Sequence, residues 1–293
     1  HASLVMWTAI SFAQGLKNIY ASFDSLIDQF QYPEKAFGSA PLWVWNADVS
    51  EGKIDTMLQE FKKNAFGGVF VHPRPGLITP YLSEKWFALY KYTVDKGKEL
   101  GLDIWIYDEN SYPSGFAGGH VPEEMPSSYN QGQMLHLEKA QVIPKGDTSL
   151  FLVLRKTNND FETIDFHNKA NLGNGNYYLF RKEYYRKSPW YGGYSYVDLL
   201  AKGVTEKFID ITMKGYEKNF GNEFGHAVPG IFTDEPNIEV QGENNIRWTP
   251  DLFEVFQERW GYDLRENLPS LFEEIGSWKK VRHNYYQVLL QLF

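Results

Sequence analysis

Cysteine is absent from all 293 residues, which excludes disulfides, a thiolate nucleophile and any Cys-ligated metal. Several catalytic signatures are missing too. No Gly-x-Ser-x-Gly elbow marks a serine hydrolase, and no Gly-x-Gly-x-x-Gly marks a dinucleotide site. Gly192-Gly193 is followed by no Gly-Lys-Ser/Thr and makes no phosphate loop. His136, His167, His226 and His283 lack the i, i+4 spacing of a zinc helix. Positive charge is in deficit, with 29 Lys and Arg against 37 Asp and Glu, so nucleic acid would find no basic face. Long apolar runs are lacking as well, and nothing is long enough to span a membrane.

Aromatics, by contrast, are plentiful at 17%: 9 Trp, 19 Tyr and 21 Phe. Flat rings suit the apolar faces of sugars, and they equally suit a large core. Residues 2–15 resemble a signal-peptide apolar region with a small-residue cleavage site at Ser11-Phe12-Ala13. Neither a basic leader nor an initiator Met precedes it. The expectation is a secreted or periplasmic protein with a clipped signal at 1–15; an ordinary amphipathic helix is the competing reading.

After a lead-in over 16–40, strand and helix patterns alternate. Leu42–Asn46 reads as a strand and Ser50 as a helix cap, with Ile54, Leu58 and Phe61 at helical spacing. Gly67-Gly68 would end that helix before the strand Val69–His72. A second helix runs from Ser83 to Leu100 and closes at Gly101, before the strand Ile104–Tyr107. This is the rhythm of parallel βα units over 41–132. Residues 133–196 alternate apolar and polar and read as an antiparallel β insertion after the third strand. Over 197–293 the βα pattern resumes, with a helix over 197–220, a fourth strand over 228–233 and three further helical segments. The expected fold is α/β: about the first four units of a (β/α)8 barrel, truncated at its C-terminus. A smaller open sheet is the alternative.

Two strands end in paired carboxylates. Asp103-Ile-Trp-Ile-Tyr107 runs into Asp108-Glu109, and Gly230-Ile-Phe-Thr233 runs into Asp234-Glu235-Pro236. Strand C-termini are where α/β folds place their chemistry, and two carboxylates on one rim are what glycoside hydrolysis needs. Glu235 reads as the general acid, with Asp234 anchoring its loop, supplying a neighbouring charge or contacting substrate. Capping or Arg pairing is the structural alternative for Glu235. Asp108 or Glu109 would be base or nucleophile, or would hold a hydroxyl or a metal. His72 and Arg74 at the second strand's end would bond sugar hydroxyls. Trp45 and Asn46 would offer a stacking face and an amide. The turn at Pro113-Ser114-Gly115, with Gly118-Gly119, would let backbone approach a ligand closely.

Taken together, Trp43-Val-Trp45-Asn46, Gly67-Gly-Val-Phe-Val-His72-Pro-Arg74, Trp105-Ile-Tyr-Asp108-Glu109 through Pro113-Ser114-Gly115 to Gly118-Gly119, and Thr233-Asp234-Glu235-Pro236 resemble glycoside hydrolase family 106, the α-L-rhamnosidases. The resemblance covers about residues 40–125 and 195–293. It implies a catalytic barrel in bacterial, secreted or periplasmic enzymes that degrade plant polysaccharide, with a calcium ion near the sugar in some members. A carbohydrate-binding protein without turnover, or an inactive fragment, is the rival expectation.

Overall fold

The computed structural model describes residues 22–158, 160–166 and 173–293. The signal-like stretch 1–15 lies outside the described residues. The chain forms two compact units: 22–72 with 76–107 and 219–232, and 73–75 with 108–218 and 233–293. Among the described residues no helix is long and apolar enough to cross a membrane.

The first unit holds a helix, α1 (Phe23–Gln31), and a four-stranded sheet. The strands are β1 (Leu42–Trp45), β2 (Gly68–Pro73), β3 (Asp103–Tyr107) and β8 (Ile231–Phe232), in that spatial order. β2 pairs parallel with β3, Val71 opposite Ile106, and β3 pairs parallel with β8, Tyr107 opposite Phe232. Helices α2 (Glu51–Lys63) and α3 (Glu84–Leu100) pack on one another, and Tyr92 donates from its hydroxyl to Asp55 between them at 2.9 Å.

The start of α3 follows from its cap: Ser83 Oγ accepts from the Trp86 amide at 3.2 Å. Its end follows from Gly101, left-handed at φ +70. Between them Trp86, Tyr90, Val94 and Gly97 recur at helical spacing and are buried. Gly97 is forced, because a Cβ there would meet the Ile104 side chain at 2.6 Å. The core is aromatic, with Tyr90 stacked on Phe220 at 5.3 Å and Trp86 edge-on to Trp45 at 5.4 Å.

Several local expectations change. Ser50 precedes α2 but its side chain makes no cap hydrogen bond. Gly67 and Gly68 lie beyond the helix end at Asn64 and serve close packing instead. A Cβ on Gly68 would stand 2.4 Å from the Asp103 carbonyl, and one on Gly67 2.2 Å from that of Lys35. The fourth strand is two residues long rather than six. Ile231 in it is 47% exposed, and among the described residues β8 pairs with β3 alone, at the sheet's edge.

The second unit is built on a five-stranded sheet of β4 (Met134–Ala140), β5 (Leu150–Lys156), β6 (Phe161–Thr163), β7 (Tyr177–Glu183) and β9 (Asn245–Arg247). Their order is β6-β5-β7-β4-β9, and all pairs are antiparallel. β9 comes from outside 133–196 and was not anticipated. A register shift between Leu150 and Leu152 changes the side-chain phase. Leu152 and Leu154 consequently join the main core, whereas Leu150 and Val153 face a smaller one with Leu179.

The remaining helices are α4 (His120–Glu124), α5 (Val204–Phe220), α6 (Leu252–Trp260), α7 (Leu264–Asn267), α8 (Pro269–Phe272) and α9 (Trp278–Leu292). Phe256, Leu264, Val288 and Leu289 from this helical group complete the main core on the sheet. The segment 197–203, expected to be helical, is irregular. Its Asp198 forms a buried ion pair with Arg247 of β9, whose guanidinium also donates to the Tyr185 hydroxyl at 2.7 Å.

Candidate functional site

The chain leaves β3 at Tyr107 and enters a loop, 108–119, held in an unusual shape. Ser111, Gly115, Ala117, Gly118 and Gly119 all have positive φ, and the Tyr112–Pro113 peptide is cis. Ser111 at +89 and Ala117 at +50 are costly without glycine's freedom, so something must hold the loop.

Glu109 holds it. This fully buried carboxylate accepts from five backbone amides, those of Asn110, Gly115, Phe116, Ala117 and Gly118, at 2.5–3.1 Å. Desolvation is the largest influence and drives its carboxyl up, to about 8, over the opposing amides of Asn110, Gly118 and Ala117. The charge of Asp108 adds to the rise. Five donors nevertheless fix an acceptor-only geometry, so the ionised form is the one this nest fits. Glu109, expected as base, nucleophile or ligand, has both oxygens bonded to the loop's own backbone.

Asp108 is buried beside it. Its Oδ1 accepts from Ser114 Oγ at 2.5 Å and its Oδ2 from Thr233 Oγ1 at 2.7 Å. Burial pushes this carboxyl up to about 6, against the two hydroxyls, while the Asp234 charge adds to the rise. Ser114 in turn grips Asp234 twice. Its amide donates to the Asp234 carbonyl at 2.7 Å, and its Oγ accepts from the Asp234 amide at 2.8 Å. Asp108, Ser114, Thr233 and Asp234 therefore form one clamp. The next residue, Glu235, is exposed and left-handed at φ +46.

The other expected residues divide. Arg74 lies in the same unit as this clamp, its guanidinium 4.8 Å from the Tyr112 ring centre and 5.7 Å from that of Trp190. His72 belongs to the first unit, where it is fully buried and stacked on Tyr107 at 3.5 Å. Trp45, expected as a stacking face, is buried by inward alternation along β1 among Trp43, Trp86 and Tyr90. Asn46 is exposed, and Gly76, at φ +105, closes on its carbonyl.

Gly118 and Gly119 were expected to admit a ligand. They admit the chain itself: a Cβ on Gly192 would stand 2.6 Å from the Gly118 carbonyl oxygen and 2.8 Å from Gly119 Cα. Trp190, Tyr191 and Gly192, which form this partner loop, were not anticipated. The only sequence signal for them was a Pro-Trp-Tyr-Gly-Gly turn among aromatics. Among the described residues no group of three His, Asp or Glu side chains is disposed to hold a metal ion.

No protein-family profile matches the sequence, and no curated protein matches it. Among solved structures, the rhamnosidase from Novosphingobium sp. PP1Y is similar, with a TM-score of 0.58 at 12% identity. The match covers 91% of this chain and 45% of that one, so the chain spans under half of that enzyme's length. At this identity the likeness is one of fold.

Proposed function

We propose that this protein is a glycoside hydrolase, with α-L-rhamnosides as the first substrates to test and Glu235 as the carboxyl that touches substrate. The observation that carries this reading is the clamp. Asp108 and Ser114, themselves hydrogen-bonded, pin Thr233 and Asp234 by three hydrogen bonds, and the chain immediately presents a carboxylate in a strained backbone. Strain held in place by surrounding structure is characteristic of functional positions. The fold likeness to a rhamnosidase and the resemblance of the motifs support the same class.

In this reading Glu235 gives a proton to the departing glycosidic oxygen. Asp108 acts through Thr233 and Ser114 and is a positioning residue. Asp234 is half-buried beside Glu235 and is the nearest partner carboxylate along the chain. The fold would be part of a (β/α)8 barrel, and the protein secreted or periplasmic.

The test is hydrolysis of a panel of aryl glycosides, α-L-rhamnoside foremost, by the purified protein and its Glu235→Gln variant. Turnover should fall by about 10²–10⁴ in the variant. A fall of less than about threefold would remove Glu235 from the chemistry. Chelator in the same assay reads calcium, since loss of activity reversed by added Ca²⁺ would establish a required ion. Saccharide binding without any product would move the protein to the carbohydrate-binding class.

A further inference from the structure

We propose that Trp190 and Tyr112, gripped by Arg74, form a preformed stacking platform for a sugar ring of the substrate, an assignment that rests on the glycosidase reading. Half of the tryptophans among the described residues are spent on cores, Trp43, Trp45, Trp86 and Trp248 all being buried. Trp190 is half-exposed and Tyr112 is 36% exposed. Their rings meet edge to face, centres 5.3 Å apart and planes at 85°, which leaves a right-angled aromatic corner. Flat, amphipathic rings of this kind suit a ligand that is apolar on one face and hydroxylated at its edge.

The corner is rigid. The Trp190 indole N–H donates to the Tyr112 carbonyl, and Arg74 sits over both rings. Behind it, Gly192 packs on Gly118 and Gly119, and Tyr191 meets Phe116 edge-on at 5.2 Å. A surface fixed in advance loses little freedom on binding, which is where affinity for a sugar is otherwise spent. It is also continuous with the clamp: Tyr112 lies two residues before Ser114, which holds both Asp108 and Asp234. The loop 188–194 thus packs on the strained loop 108–119, whose Ser114 holds Asp234, the residue before Glu235.

The experiment is calorimetric titration of the Glu235→Gln protein with a panel of neutral oligosaccharides, rhamnose-terminated ones included. Trp190→Ala and Tyr112→Ala should each weaken binding by about tenfold, and Trp190→Phe by less than about threefold. Thermal melts should match the parent. Unchanged affinity in a well-folded Trp190→Ala overturns the platform. Should that variant fail to fold, Trp190→Leu decides, since it fills space without a flat face; binding as tight as Trp190→Phe overturns the proposal. Platform-dependent binding with no hydrolysis by the unsubstituted protein keeps the platform and removes the enzyme. No binding of any saccharide by the unsubstituted protein overturns both.

Discussion

A carboxylate that takes five amide donors cannot be exchanged for its neutral isostere without setting an NH₂ group against N–H groups. Glu109→Gln should therefore cost about 3 kcal/mol in urea denaturation, the size expected when buried amides lose a charged acceptor. A catalytic but non-structural Glu109 would leave stability unchanged. Asp108 makes a different prediction. Its carboxyl is raised from 3.8 to about 6, so the proton is bound more tightly in the folded protein. The stability this contributes is full below about pH 4 and is lost as pH rises through about 6, an amount of about 3 kcal/mol. Asp108→Asn should flatten that slope in melts taken between pH 4 and 7. Both acidic pairs were legible in the sequence, because apolar strands ran straight into them. Which carboxylate faced outward was not. The alternation rule holds only within a strand, and Glu109 already lies in a loop whose positive φ values redirect every side chain.

Two loops make the candidate site, and they meet where neither tolerates a side chain. A Cβ on Gly192 would strike the Gly118 carbonyl, and Gly192 itself is left-handed at φ +67. Gly193 shares the left-handed backbone at φ +89 but has nothing within 4 Å of its Cβ. Gly193→Ala therefore reports the backbone cost alone, about 1 kcal/mol, and Gly192→Ala should exceed it by about 2 kcal/mol in equilibrium unfolding. Equal costs would mean the two loops do not press on one another. Elements with local signals were readable in advance: α3 was framed by Ser83 and Gly101, and β2 and β3 by their apolar runs. β9 was not, because three residues carry no periodicity, and it is specified by pairing with β4. The irregular 197–203 segment was missed for a related reason. Its conformation is dictated by Asp198 meeting Arg247, 49 residues away in the sequence.

Over the molecule, both compact units are stitched from separated stretches of chain. The main core of the second unit combines Leu135 and Leu154 of the sheet with Phe256, Val288 and Leu289 of the later helices. A chain ending at residue 240 should consequently lose the cooperative melt of that unit while β4–β7 remain in its sequence; a retained sharp transition would show that the sheet stands without its helices. Composition indicated an ample core and a carbohydrate-compatible surface, but not this interleaving, since contacts between distant segments leave no local trace. The parallel sheet carries the same arrangement into the order of synthesis. Ile231 and Phe232 pair with Ile106 and Tyr107, and the whole stretch 108–218 lies between them. On a ribosome, β3 must wait for that entire stretch to emerge before its neighbour exists. During that wait its edge is open to any passing strand, so a chaperone that shields nascent β edges should raise the yield of this protein more than one that acts after release.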